Sequence, residues 1–474
     1  MQKNTLDQAT SAEATLGEFV TIDDERYYAI KNVDKMETFF ISLISSSDHW
    51  LFISSNGALT AGRVSPDTAL FPYECVDKIY DDALNTGSKT IIRIKTNDGV
   101  TKWEPFNLEH DGLFDVQRNV YKNTLGNKIH FEEINKSLGL TFSYSWRTSE
   151  QYGFVRSSVI TNNTTQNAEL ELMDGLQNIL PAGTPKFTQT VSSNLVDAYK
   201  STQVDNSTQL ALYTLYSAIT DRAEPCESLR ANTVFSIGLD TAEVVLSSKQ
   251  LRQFKQGLDI PQSDSTRGIR GAYFVKTSLS LAPSKASSWH IMADLEKNQS
   301  QIVSIGKALE DKDALLANIE VSIAKGDDEL TRILASADGF QLVNEEVVGV
   351  HHYANTLFNV LRGGIFNDQY RINKQDFMAN IKQFNVKVFA QHQTFMESLP
   401  AHFLLGDIMA QINSLNDPQF ARLAQEYLPI YFGRRHGDPS RPWNQFVIKL
   451  KDEHQQPLLT YQGNWRDIFQ NWEA

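Results

Sequence analysis

The sequence predicts an antiparallel β-sandwich followed by α-helices, and three observations carry that prediction. Between about Thr38 and Pro283, short apolar runs of strand length alternate with turn residues. No clear helical pattern separates those runs, which argues for a large sandwich rather than a parallel α/β sheet. From about Leu295 the apolar spacing changes from two residues to three and four, the period of an amphipathic helix.

The strands come first. Residues 39–44 form an apolar run, residues 45–48 a turn, and residues 49–53 a second run that leads into Asn56-Gly57, a strong hairpin signal. Further runs lie at 90–95, 140–146, 155–160, 170–172, 210–216 and 233–239, many alternating apolar with polar as half-buried strands do. Asn163-Thr164-Thr165 and Asn206-Ser207-Thr208 match the glycan acceptor pattern, and in a chain that is not secreted they read as turns.

The helices follow. Ile302, Ile305, Ala308 and Leu309, then Leu315, Leu316, Ile319 and Ile323, then Leu330, Ile333 and Leu334 mark one apolar face, enough for two or three linker helices. Helical patterns return at 351–362, 374–384, 401–414 and 417–427, the last opened by an Asp417 N-cap with Pro418 in the first turn. Residues 444–450 and 458–461 read as a strand pair. The expected domains are therefore 1–290 (sandwich), 291–345 (linker helices) and 346–474 (a second helical domain).

Bulk properties bound the function. A chain of 474 residues with 41% hydrophobic and 21% charged residues has ordinary globular composition and is long enough for two or three domains. With 44 Lys+Arg against 57 Asp+Glu its net charge is -13, which repels nucleic acid and anionic membranes and leaves a neutral ligand unaffected. The polar N-terminus lacks the order of a secretory signal and no apolar run spans a bilayer, so the reading places the chain in the cytoplasm. Two distant cysteines, Cys75 and Cys226, and scattered histidines give no zinc site or disulfide framework, so no metal or organic cofactor is expected.

Several local patterns fail on inspection. Gly87-Ser88-Lys89-Thr90 has the wrong residue order for a phosphate loop and precedes a strand. His351-His352 point to different helix faces and read as packing. Arg362-Gly363-Gly364 through Arg371 reads as a helix stop and tight turn.

Two stretches near the end are richer. Gly433 to Asn444 contains Arg434, Arg435, Asp438, Arg441 and Trp443, and Tyr461 to Asp467 contains Trp465, Arg466 and Asp467, with Trp472 just beyond. Sugar sites need this mixture, because an aromatic face covers the apolar side of the ring while Asp, Asn and Arg engage hydroxyls. A structural ion-pair cluster at a domain junction accounts for the same composition. The final residues read as an amphipathic aromatic helix that stops as it opens, so the chain is expected to continue.

Trp465-Arg466-Asp467-Ile468-Phe469-Gln470-Asn471 resembles the Tyr-Arg-Asp-x-x-Gln-Asp segment of cellobiose phosphorylase and related disaccharide phosphorylases, in the six-hairpin glycosidase clan. The order of parts is similar too. The resemblance implies a galactose mutarotase-like β-super-sandwich, linker helices, and the start of an (α/α)6 toroid from 346, in a bacterial member. It implies a glycoside phosphorylase or inverting hydrolase acting on β-linked glucosides or similar oligosaccharides, with inorganic phosphate as co-substrate in the first case and the catalytic acid beyond residue 474. The residues carried over for substrate binding are Arg466, Asp467, Gln470 and Asn471, rimmed by Trp465, Trp443, Arg434, Arg435, Asp438 and Arg441. Asn471 departs from the family's Asp and cannot titrate. The other readings are a non-catalytic carbohydrate-binding module and a sandwich that serves as a homodimer platform.

Overall fold

The computed structural model describes residues 15–96, 99–219, 228–239, 241–427, 429–432, 446–452 and 458–459. They fall into two compact units that divide between Leu330 and Thr331.

The first unit is an antiparallel sandwich. Its large sheet has eleven strands, ordered Leu16–Ile22, Glu25–Lys31, Val116–Asn123, Ile129–Asn135, Leu140–Ser149, Gly153–Asn162, Ala286–Lys297, Ala231–Ile237, Leu210–Leu215, Lys200–Asp205 and Ser265–Arg267. A five-stranded sheet packs on one part of it, ordered Glu243–Val245, Gly271–Leu281, Ala168–Ile179, Gly87–Thr96 and Gly99–Trp103. A third sheet of four strands, Phe40–Leu43, His49–Ser54, Leu59–Arg63 and Ala69–Phe71, was not expected as a separate layer. All six residues of His49–Ser54 are buried, so this small sheet is covered on both faces.

Alternation explains the core. Phe142, Tyr144, Trp146, Ile160, Trp289 and Ile291 point inward from the large sheet, and Ile92, Leu172, Leu176 and Val275 meet them from the five-stranded one. Arg156 and Asp174 also point into this interior. Asp174 accepts from Arg156 Nη1 (2.6 Å) and Nη2 (2.9 Å), from Thr90 Oγ1 (2.6 Å) and from Trp289 Nε1 (2.6 Å). The two sheets are thereby fixed in register by one buried charge pair.

The strands predicted at 39–44, 49–53, 90–95, 140–146, 155–160, 170–172, 210–216 and 233–239 are all present. Their range is wider than expected, from Leu16 to Lys297, so the last strand passes residue 290. Four helices also interrupt the first half: α1 (Val76–Asp81), α2 (Lys186–Val191), α3 (Ser193–Tyr199) and α4 (Ser248–Lys255). At six to eight residues each they are too short to show a helical period in the sequence.

Two helices serve as the linker. α5 (Gln299–Ala308) opens with a capping box between Asn298 and Gln301, and α6 (Lys312–Ser336) follows. Leu309, Leu315, Ile319 and Ile323 cover Val155, Phe235, Ile237 and Met292 on the outer face of the large sheet. Glu320 holds Arg147 through both carboxylate oxygens at 2.7 Å.

The second unit contains α7 (Glu346–Gly363), α8 (Lys374–Phe384), α9 (Val386–Ser398), α10 (Leu405–Ser414) and α11 (Pro418–Gln425). α7 ends as the glycine pair predicts, with Gly364 at φ 74 closing it. Asn373, Asn385 and Asp417 cap α8, α9 and α11 through side-chain oxygens. Phe377, Ile381, Met396, Ile412, Phe420 and Tyr427 form the shared core of α8 to α11. Of the strand pair expected at 444–450 and 458–461, residues 444, 445, 460 and 461 lie outside the described residues, and the described ones show a bridge at Lys451 and a bond from Leu458 N to Leu450 O at 2.7 Å.

Candidate functional site

The residues expected to bind sugar, Arg434, Arg435, Asp438, Arg441, Trp443, Trp465, Arg466, Asp467, Gln470 and Asn471, lie outside the described residues. Among the described residues, the sandwich carries a polar pocket that sequence reasoning did not find.

The pocket originates in a broken strand. Pairing of Ala168–Ile179 with Gly271–Leu281 shifts register between Gln177 and Ile179, and Asn178 between them takes φ 58. Asparagine tolerates this left-handed conformation better than most residues, and a bulge bends the strand and re-aims its side chains. Asn178 Nδ2 then donates to Thr86 Oγ1 at 2.8 Å, Thr86 donates to Asp82, and Gln177 Nε2 donates to Leu84 O at 2.6 Å. The bulge is thus tied to the loop that follows α1.

Lys78 and Asp81 of α1, with Glu74 just before it and Asp82 at its C-cap, form one wall of the pocket. Across from it stand Asp197 at the end of α3, Lys200, and Arg270 at the start of the neighbouring strand. Asn178, Leu180 and Val196 complete a volume of about 340 Å³, within the range of small-ligand sites. Asp197 lies 2.8 Å from Lys200 Nζ and 3.8 Å from Arg270 Nε, while Glu74 lies 3.8 Å from Lys78 Nζ. Burial pushes the Glu74 carboxyl up, opposed by the Lys78 ammonium. Burial pushes the Lys200 ammonium down, opposed by its bond to Asp197.

Gln189 holds the rim, accepting from Tyr73 N (3.1 Å) and donating to Thr184 O (2.7 Å). Donors and acceptors are therefore interspersed over both walls, the pattern that hydroxyl groups satisfy because each is donor and acceptor at once. No aromatic ring is among the described lining residues. The pocket residues come from 72–82, 178–200 and 270, segments that only the bulge and the sheet pairing bring together. The signal available in sequence was the dense spacing of Glu74, Lys78, Asp81 and Asp82 on and beside a short helix.

Among the described residues no group of three His, Cys, Asp or Glu is placed to hold a metal ion. No described helix is long and apolar enough to cross a membrane. Lys89, in the rejected phosphate-loop pattern, pairs with the buried Glu104.

Comparison with known proteins gives one family match. Residues 366–429, inside the stretch expected to open a toroid, match the model of glycoside hydrolase family 149 insertion domain 1. No curated protein matches the chain. A bacterial glucoamylase complexed with acarbose aligns at 11% identity and a TM-score of 0.40, over 82% of this chain and 55% of its own. A putative aldose 1-epimerase from Klebsiella pneumoniae aligns at 9% identity and 0.28, over 63% of this chain and 91% of its own. A putative kojibiose phosphorylase from the human microbiome aligns at 8% and 0.24, over 74% and 34%. The chain spans about half the length of the glucoamylase. It resembles the six-hairpin glycosidase and disaccharide phosphorylase group in the order of its parts, an antiparallel sandwich followed by helices, and its helical part contains the family 149 match.

Proposed function

We propose that this chain belongs to a bacterial, cytoplasmic carbohydrate-active protein, a glycoside phosphorylase or an inverting glycoside hydrolase acting on β-linked glucosides or related oligosaccharides. The observation that carries the reading is the match of residues 366–429 to a glycoside hydrolase insertion domain, on a chain whose sandwich precedes its helices. In this reading α8 to α11 are a module inserted into the toroid, and the toroid itself takes up the flanking parts of 346–474. Arg466 and Asp467 bind sugar hydroxyls, with Gln470 and Asn471 beside them and Trp443 and Trp465 covering the ring. Asp467 acts as an acceptor and not as a proton donor, because Asn464 as N-cap would place it in a first helical turn, where the dipole favours the ionised carboxylate. An inverting pair of carboxylates about 6.5–9.5 Å apart supplies the hydrolytic route, and inorganic phosphate replaces the activated water in the phosphorolytic one.

The test is a screen for phosphate consumption or release and for reducing-sugar formation, run on the full-length protein across β-linked and α-linked disaccharides. Turnover of a β-linked glucoside is expected. Asp467→Ala should weaken sugar binding by about 1.5–3 kcal/mol and leave the melting temperature unchanged. A large fall in melting temperature with unaltered sugar affinity defeats the assignment. A non-catalytic carbohydrate-binding role for the sandwich is the second reading, favoured by the pocket at the Asn178 bulge.

A further inference from the structure

A second concavity lies on the other side of the five-stranded sheet, on its outer face, away from the sheet-to-sheet core. α4 covers half of that face through Leu251 and Phe254, which pack on Ile91, Met173 and Phe274. α4 ends at Gly257, whose φ of 81 allows Gly257 N to bond Phe254 O (3.0 Å) and Leu258 N to bond Gln253 O (3.1 Å). The chain turned out by this cap forms a lip over the uncovered half, enclosing a cleft of about 490 Å³.

The floor of the cleft is a cross-strand row of paired charges. Arg93 Nη1 lies 2.7 Å from Glu171, and its guanidinium rests over the Phe254 ring at 5.3 Å. Lys276 Nζ lies 2.7 Å from Glu243 and donates to Ile260 O at 2.6 Å. The hydroxyls of Thr241 and Thr277 meet at 3.1 Å beside them. Arg93 Nη2 lies next to Gly257, where an added Cβ would stand 3.6 Å away.

We infer that this cleft, built from residues other than those lining the pocket at Asn178, binds a neutral oligosaccharide. The chemistry selects the ligand class. Three cations, Arg93, Lys276 and Lys95 at 3.8 Å from Glu171, stand against three carboxylates, Glu171, Glu243 and Asp259, so the charges at the cleft balance. An anionic ligand must compete with Glu171 for Arg93, and a cation finds Glu171 and Glu243 already paired, with Asp259 alone left to meet it. A hydroxyl takes an N–H from Arg93 and returns its own hydrogen to a carboxylate oxygen without breaking either pair. The row crosses four neighbouring strands, roughly 14 Å at the inter-strand spacing, which suits a chain of sugars rather than a single one.

The experiment is calorimetric titration of the full-length protein with cellohexaose and maltohexaose at low and high salt, for the wild type, Arg93→Met/Glu171→Leu and Asp467→Ala. Removing the pair together leaves no lone buried charge, and a thermal melt confirms the fold. Saturable binding that is insensitive to salt, about tenfold weaker in the double variant and retained in Asp467→Ala, is the expected result. No saturable binding to the wild type, equal affinity in the double variant, or binding only of a uronate oligosaccharide in a parallel titration overturns the cleft. Absence of glycoside turnover with cleft binding intact would remove the proposed enzymatic activity and leave this inference standing.

Discussion

Replacing Asp174 by alanine should be the most damaging single change in the sandwich core. Arg156 and Asp174 are both fully buried, at 0% exposure, and the carboxylate receives four hydrogen bonds from Arg156, Thr90 and Trp289. Asp174→Ala leaves the guanidinium charged and without its anion, a situation that costs about 3–5 kcal/mol. The Thr90 hydroxyl and Trp289 indole lose their acceptor as well, so the loss should fall at the upper end of that range. Total stability of a domain is about 5–15 kcal/mol, so the variant should be partly unfolded near room temperature or at modest urea. The companion variant Arg156→Met/Asp174→Leu removes both charges and should lie within about 2 kcal/mol of the wild type, because a buried pair contributes little net stability over an apolar replacement. Urea unfolding followed by β-sheet ellipticity measures both. A loss below about 1 kcal/mol in Asp174→Ala, or a double variant as unstable as the sum of its singles, would refute the reasoning.

Two further outcomes follow from other buried groups. In α9, His392 is stacked on Phe420 with ring centroids 4.5 Å apart and lies 2.8 Å from Asp417, the N-cap of α11; His392→Ala should cost about 1.5–3 kcal/mol and lower amide-exchange protection in α9 and α11 while leaving the sandwich protected. His130 and His290 both have their imidazole pKa lowered, chiefly by burial; the unfolded chain therefore takes up protons first, and the stability these groups retain at neutral pH is lost as pH falls through about 6.5. The urea midpoint should drop over that window, and the drop should shrink in His130→Gln/His290→Gln; an unchanged pH profile in the double variant would count against it.

The legible parts of the fold were those where a single period holds over enough residues. Leu140–Ser149 alternates apolar with polar from Leu140 to Trp146 and pairs in full register with Gly153–Asn162, and the runs at 140–146 and 155–160 mark these two strands in the sequence. The hairpin Leu16–Ile22 and Glu25–Lys31 was missed although its two-residue turn, Asp23-Asp24, has positive φ at both positions (47 and 63). Such a turn ordinarily advertises itself through Asn-Gly or Asp-Gly, and a second aspartate conceals it. α9 was missed for a related reason: Asn385 closes α8 and caps α9, so two helices meet with no loop between them. The four-stranded sheet could not be separated in sequence because its central strand is buried on both faces and lacks alternation.

Both concavities of the sandwich lie where a regular element is interrupted. A twisted sheet offers an even polar face, so a pocket needs a bulge, as at Asn178, or a helix end that throws the chain outward, as at Gly257. Neither interruption leaves a compositional mark strong enough to separate it from an ordinary turn. Among the described residues neither concavity presents an exposed aromatic ring either, since no ring lines the first and Phe254 of the second is 3% exposed. Recognition there rests on hydrogen bonds that replace equally good bonds to water, and the net gain from each is small. A sugar held by such clefts alone is held weakly. Tight, oriented binding of a glycoside needs apolar cover for the ring face, and the sequence concentrates that resource in Trp443, Trp465 and Trp472, beside the arginines and aspartates that give the chain its resemblance to disaccharide phosphorylases. Under the proposed function, the sandwich clefts would retain an oligosaccharide near the protein and the tryptophan-rich segments would hold the glycoside.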